Sequence, residues 1–222
     1  MPTEITITAY EFNELQETAK KRAREKLVEL VTSYNWWDIV YEDAKADAKE
    51  LGFDIEDIRF SGFWSQGDGA SWTGYVDLLV FIEKHADKES ATLGQDMTLC
   101  ELMRNGWVFT RMEINRRSFH YAHENTMNYE YESYDLDSIR DTPQVLEKGI
   151  MAGASVSQLL DSFDVDAHID TWLEKAHDAA KDYARKIYRQ LEAEYEGLVT
   201  DEYLTEFAAA NEYLFDAQGR SL

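Results

Sequence analysis

The sequence predicts an α+β fold: an antiparallel sheet of about five strands, with helices packed mainly on one side and a helical C-terminal third. Several segments alternate apolar and polar residues with a period of two, which is typical of strands that have one wet face. Short connections between them favour antiparallel pairing, since a parallel crossover needs a dozen or more residues. We expect the 222 residues to form a single α+β domain (1–222), with residues 142–213 as a candidate helical subdomain.

One strand and two helices are predicted in the first quarter of the chain. TEITITAYEF (residues 3–12) alternates β-branched residues and predicts the first strand. Residues 13–33 repeat apolar side chains at helical spacing, as do residues 36–51. Gly52 follows the second helix, and glycine accepts the left-handed conformation that ends helices.

Further strands are predicted in the middle of the chain. FDIEDIRFSGF (53–63) and WTGYVDLLVFIEKH (72–85) are expected to pair as a hairpin. MTLCELMRNG (97–106) indicates a short helix that ends at its glycine. WVFTRMEINRR (107–117) and SFHYAHENTMNYEYESYD (118–135) predict two more strands, because each alternates apolar and polar residues.

The C-terminal third has helical periodicity. TPQVLEKGIM (142–151) places a proline in its first turn, the position that proline favours in helices. A short helix at 155–163 and a long one at 168–197 follow, and the long one carries one continuous apolar stripe. Residues 200–213 predict another helix with acids in its first turn, where the helix dipole favours them. LFDAQGRSL (214–222) is expected to form a terminal strand or one half of a hairpin.

Composition excludes several classes of function. The chain has 44 acidic and 22 basic residues, for a net charge of −22. Such a surface repels phosphates and anionic lipids, so we expect no direct nucleic-acid partner and no membrane partner. A single cysteine, Cys100, rules out an intramolecular disulfide. The first residues lack a secretory signal pattern, which predicts a soluble protein of the cytoplasm.

The acids of the second predicted helix are the candidate partner-binding residues. They lie off its apolar stripe and are Asp38, Glu42, Asp43, Asp47 and Glu50. A dense negative field steers basic proteins onto a surface. The sequence does not predict the oligomeric state.

The segment FSGFWSQGDGASWTG (60–74) is the second candidate site. It lacks the pattern of a phosphate loop or a dinucleotide-binding turn, and Asp68 at its centre would repel phosphate. One interpretation is a glycine-rich hairpin connection. The other is a small-ligand site, since polar groups beside aromatic rings are typical of such sites. The candidate ligand-binding residues are Trp64, Ser65, Gln66, Asp68, Ser71, Trp72 and His120.

Catalytic and metal-binding patterns are weak. His120 and His123 would face opposite sides of a strand, whereas His120 and Glu124 would share one face. No HExxH or GxSxG motif occurs, so we assign no catalytic residue, metal or cofactor. Cys100 lies in an apolar helical pattern that predicts a buried hydrophobic side chain.

Four stretches of the chain resemble a family of small proteins from tailed bacteriophages and prophages. They are YEFNELQETAKKRAREK, NWWDIVYEDAKADAKELGFDI, IRFSGFWSQGDGASWTG and NEYLFDAQGR. The resemblance covers roughly the first 75 residues and the last dozen. It implies a phage accessory protein expressed in the bacterial cytoplasm, and some members are labelled antitoxins of toxin–antitoxin systems. It implies no catalytic residues.

Two functional hypotheses follow from these features. In the first, the acidic surface binds a basic host protein that handles nucleic acid, such as a nuclease, a defence complex or a toxin, and inhibits it by imitating DNA. In the second, the 60–74 segment with His120 and Glu124 binds a small ligand or catalyses a reaction. We expect protein binding rather than catalysis, because the acids are numerous and no catalytic motif is present.

Overall fold

A computed structural model describes residues 6–117, 121–133, 149–151, 154–155, 158, 161 and 163–222. The chain divides into two compact units. The terminal unit consists of Met1–Val40 and Arg189–Leu222, and the sheet unit consists of Tyr41–Tyr188. The expectation of one domain with a helical subdomain at 142–213 stays a prediction.

The described residues contain six α-helices and six strands. The helices are α1 (Glu17–Val31), α2 (Asp38–Glu50), α3 (Leu78–His85), α4 (Leu93–Arg104), α5 (Val165–Leu198) and α6 (Asp201–Ala210). The strands are β1 (Phe53–Phe60), β2 (Ala70–Asp77), β3 (Thr110–Arg116), β4 (Met127–Ser133), β5 (Gly149–Met151) and β6 (Ala154–Ser155). Helices α2 and α5 each contribute residues to both units.

The sheet confirms the predicted α+β class. Strands β1 to β4 form one antiparallel sheet in the order β1-β2-β3-β4. The main sheet of the described chain therefore has four strands rather than about five. Strands β5 and β6 pair separately as a two-stranded sheet.

One face of the four-stranded sheet carries the core of the sheet unit. Phe53 and Trp72 are buried on it, with ring centroids 5.5 Å apart. The Trp72 indole N–H donates to the Ala180 carbonyl of α5 at 3.2 Å. The Tyr183 hydroxyl donates to the Ala44 carbonyl of α2 at 2.6 Å. These hydrogen bonds hold α5 against the sheet and α2 against α5.

The prediction of a strand over residues 72–85 is wrong in its second half. Strand β2 ends at Asp77, and α3 begins at the next residue. The Asp77 carboxylate accepts the Val80 backbone N–H at 3.1 Å, which caps the new helix. Leu78, Phe81 and Ile82 are all buried at helical spacing.

The predicted first strand is also wrong within the described residues. Residues 6–9 have no regular structure, and Tyr10 forms only an isolated bridge with Phe215. Phe215 bridges Ser221 as well, so the expected terminal strand is limited to single bridges. A short 3-10 turn at Phe12–Glu14 occupies the start of the first predicted helix, and α1 begins at Glu17.

The segment predicted as the strand 118–135 forms a strand only in part. Strand β4 starts at Met127, after a 3-10 turn at Glu124–Thr126. The His123 imidazole Nδ1 accepts the Asn125 N–H at 3.1 Å and stabilises that turn. Residues 118–120 and 134–148 lie outside the described residues, as do most of the predicted short helix at 155–163 and the start of the one at 142–151. The helix prediction is wrong at the end of 142–151 and at the start of 155–163, because Gly149–Met151 form β5 and Ser155 belongs to β6.

The terminal unit has a core of its own. Buried residues of α1 and α6, together with Phe12 and Phe215, supply its apolar interior. Gly219 adopts φ +77°, and a Cβ there would lie 2.0 Å from the Ala19 carbonyl oxygen. Only glycine fits this close approach, which brings the chain after α6 against α1.

Candidate functional site

The α2 acids are exposed, as the sequence predicts. Ala44 and Ala48 are buried on one face of the helix. The acids occupy the opposite side, and every one of the five candidate residues is exposed: Asp38, Glu42, Asp43, Asp47 and Glu50. Asp38 is the first residue of α2 and belongs to the terminal unit, whereas the other four belong to the sheet unit.

Of the four α2 acids in the sheet unit, one forms an ion pair with a described residue and three do not. Asp47 forms a 3.1 Å ion pair with Lys186 of α5. Glu42, Asp43 and Glu50 form no ion pair with a described residue. The basic residues of the same helix are engaged elsewhere: Lys49 lies 3.7 Å from Asp54, and Lys45 donates to the Glu56 carbonyl. The exposed side of α2 therefore carries a net negative charge that described lysines do not neutralise.

The loop between β1 and β2 has the predicted hairpin geometry. Phe60 pairs with Ala70, and the Ser61 N–H donates to the Gly69 carbonyl at 3.1 Å. The Asp68 carboxylate accepts the Ser65 backbone N–H at 2.6 Å. This hydrogen bond within the loop stabilises its conformation.

Two glycines of this loop meet different constraints. Gly67 adopts φ +94°, and a Cβ there would touch nothing within 4 Å. Gly69 has no positive φ, but a Cβ there would lie 2.9 Å from the His123 ring. Gly67 is therefore favoured by backbone conformation and Gly69 by close packing.

The structure does not bring the predicted ligand-binding residues together. Trp64 is 74% exposed, and Ser65 and Gln66 are exposed beside it. Trp72 and Ser71 are both fully buried in β2. His120 lies outside the described residues, and Glu124 lies in a 3-10 turn, where it pairs with Arg185 at 3.0 Å.

A buried polar cluster that the sequence analysis missed lies between α4 and α5. Asp96 of α4 is only 2% exposed. Its Oδ1 accepts the Trp172 indole N–H at 2.8 Å and lies 2.7 Å from His168 Nε2. An ionised carboxylate only accepts hydrogen bonds, so Nε2 of His168 is the donor in this contact. The four-residue spacing of His168 and Trp172 on α5 was the only signal of this cluster in the sequence.

A cavity of about 250 Å³ lies beside this cluster, between α3 and α4. Asp96, Cys100 and Arg104 line it at successive turns of α4. Burial raises the pKa of the Cys100 thiol to about 11, so the thiol stays protonated at neutral pH and is a poor nucleophile. Arg104 pairs with both Glu83 and Glu101 at the rim.

Two general properties of the described chain bear on the site. No group of three or more His, Cys, Asp or Glu side chains in the described part could hold a metal ion. Within the same residues, every helix is too short or too polar to cross a membrane.

Comparison with known proteins places the chain in a family. Residues 36–201 match the model of a domain of unknown function (DUF8835). The chain belongs to this family. No curated protein and no solved structure is significantly similar to it. The DUF8835 range contains the α2 acids, the β1–β2 loop and the Asp96 cluster, whereas α1 and most of the segment after α5 lie outside it.

Proposed function

We propose that the protein is a phage-type accessory protein that binds a basic protein of the bacterial cytoplasm through the acidic side of α2. Its partner is a nucleic-acid-handling protein, such as a nuclease, a defence complex or a toxin, whose nucleic-acid groove it occupies. The observation that supports this proposal is the exposure of Glu42, Asp43 and Glu50 without an ion pair to any described residue.

The length of helix that carries these carboxylates suits a groove that binds nucleic acid. Glu42 and Asp43 are adjacent, and Glu50 lies further along a helix that rises about 1.5 Å per residue. The three carboxylates therefore span about 12 Å of α2. A single DNA strand carries one phosphate per about 3.4 Å, so this length corresponds to about three or four phosphates.

The alternative site in the β1–β2 loop has less support. Asp68 is occupied within the loop, and Trp72 and Ser71 are buried beneath it. Of the candidate ligand residues that the structure describes, Trp64, Ser65 and Gln66 are exposed. We therefore prefer the interaction surface on α2 to a small-ligand site or an enzyme at the loop.

Charge reversal on α2 tests the proposal. The variant Glu42→Lys, Asp43→Lys, Glu50→Lys keeps Asp47, which holds Lys186, and keeps Asp38, which favours the helix N-terminus. The wild type, used as bait in a bacterial lysate, should retain a basic protein that the variant loses. Added double-stranded DNA should displace that protein. The association rate with the purified partner should fall as salt rises, because exposed charges are screened over about 10 Å at 0.1 M.

A second triple variant provides the matched control. Glu89, Glu132 and Asp170 are exposed in the sheet unit and form no ion pair with a described residue. Changing all three to Lys raises the net charge from −22 to −16, as the α2 variant does, because each reversal adds two charges. The control should keep the partner. Equal retention by both variants, or resistance of the complex to DNA and salt, would refute the proposal.

A further inference from the structure

We infer that the cavity between α3 and α4 binds a small amphipathic amine, whose ammonium group donates to Asp96 and whose apolar part lies between the two helices. This site is independent of the acidic surface on α2. It takes a ligand rather than a protein partner.

The first support is the second carboxylate oxygen of Asp96, a residue that is 2% exposed. Both described donors to Asp96, from His168 and Trp172, are directed to Oδ1. Oδ2 accepts no hydrogen bond from a described residue, and Asp96 lines the cavity. An ionised carboxylate has about four lone-pair sites, so Oδ2 can accept a hydrogen bond from a ligand in the cavity. An ammonium group provides both the hydrogen and the opposite charge.

The second support is the apolar lining of the cavity. Ile82 of α3 and Ala86, which follows α3, line it together with Leu93, Met97 and Cys100 of α4. The Cys100 thiol is protonated, as argued above, so it adds no charge to this lining. A volume of about 250 Å³ exceeds the roughly 150 Å³ that encloses a benzene ring. The cavity therefore has room for one ring and a short aminoalkyl chain.

The charged residues at the rim favour a cation over an anion. Glu83 and Glu101 both contact Arg104, so the guanidinium of Arg104 is already paired and Oδ2 of Asp96 receives nothing from it. Lys88 also lines the cavity but forms no described bond with Asp96. An anionic ligand would meet the Asp96 carboxylate that lines the cavity and be repelled.

Asp96 also has a structural role, which the test must separate from binding. Its Oδ1 contacts alone explain how α4 is anchored to α5. The variant Asp96→Asn keeps Oδ1 as the acceptor for His168 and Trp172, and it places an amide nitrogen where Oδ2 lies. It therefore preserves the anchor and removes the group that recognises the cation.

The two probes are 2-phenylethylamine and 2-phenylethanol. They share the phenylethyl group, but the first carries an ammonium and the second a neutral hydroxyl. We expect the amine to shift backbone amide resonances of α3 and α4 in an NMR titration, with a Kd of about 1 mM or tighter. The alcohol should bind about tenfold more weakly, and Asp96→Asn should weaken the amine by about tenfold. The control Asp170→Asn changes an exposed acid of α5 and should leave the titration unchanged.

A second variant keeps the test valid if Asp96→Asn fails to fold. Met97 lines the cavity but is 59% exposed, so Met97→Lys is tolerated at its mouth and places an ammonium group there. This variant should also lose the amine. Absence of shifts in α3 and α4, equal affinity for amine and alcohol, or unchanged affinity in either folded variant would overturn the site.

Discussion

Asp96 and the acids of α2 are the same chemical group in opposite surroundings. Asp96 is buried, and its Oδ1 accepts hydrogen bonds from the ring N–H groups of His168 and Trp172 on α5. Glu42, Asp43 and Glu50 are in water and pair with no described residue. The difference shows two uses of carboxylates in this acidic chain. Burial commits Oδ1 of Asp96 to the fold, whereas exposure leaves the α2 acids available to a partner. Substitution of a carboxylate should therefore cost more stability the more deeply that carboxylate is buried.

The largest effect is expected from Asp96→Ala. The substitution leaves the Trp172 and His168 N–H groups without their acceptor in the interior, and each such loss costs about 1–3 kcal/mol. The free energy of unfolding, measured with urea, should fall by about 3 kcal/mol. Asp96→Asn should cost about 1 kcal/mol, because it keeps the acceptor oxygen. Equal losses in the two variants would show that the hydrogen bonds to Oδ1 are not what stabilises the fold.

Asp201 is an intermediate case, in the terminal unit. It pairs with Lys20 and Arg24 at 3.1 Å, and its side chain is 53% exposed. The hydrogen bond from Lys20, helped by Arg24, lowers the pKa of Asp201 below its ordinary 3.8. Because solvent screens this cluster, Asp201→Asn should cost only about 0.5 kcal/mol at pH 7.

The pH dependence of this effect has a definite sign. A lowered pKa means that the folded state binds the proton more weakly than the unfolded state. The stabilisation is therefore complete above the unfolded-state pKa near 3.8 and is lost as the pH falls through the lower folded-state pKa. Urea titrations of the wild type and Asp201→Asn should converge in acid. A difference that grows below pH 3.8 would contradict this assignment.

The smallest effect is expected on α2. The triple reversal of Glu42, Asp43 and Glu50 removes no ion pair with a described residue and reduces the net repulsion of a chain with charge −22. The free energy of unfolding should change by no more than about 0.5 kcal/mol. Asp47→Lys should cost more, since it opposes Lys186. A large drop in the free energy of unfolding of the triple variant would show that these acids stabilise the fold, contrary to this prediction.

The parts of the fold that the sequence predicts well are those with long periodic patterns. The apolar stripes of α1, α2 and α5 were predicted because each helix buries one face, and the stripe repeats over several turns. The β1–β2 hairpin was predicted from its short glycine-rich connection. The exposure of the α2 acids followed from the same stripe, since they lie opposite Ala44 and Ala48.

The failures have a different cause. LLVFI (78–82) is a continuous apolar run, so its periodicity cannot separate a buried strand from a buried helix. The decisive feature is the helix cap made by Asp77. Asp96 was missed because a buried acid is recognisable only through its partners. His168 and Trp172 lie more than seventy residues away in the chain, and the contact exists only after folding.

The terminal unit has a consequence for protein synthesis. Helix α1 ends at Val31, and α6, which packs with it, begins at Asp201. At about 5–20 residues per second, a ribosome needs about 10–30 s to deliver the second helix after the first. During that time α1, whose 15 residues are marginal as an isolated helix in water, has its apolar stripe uncovered. The nascent chain therefore exposes this apolar stripe early in translation and covers it only when the segment after α5 has been synthesised.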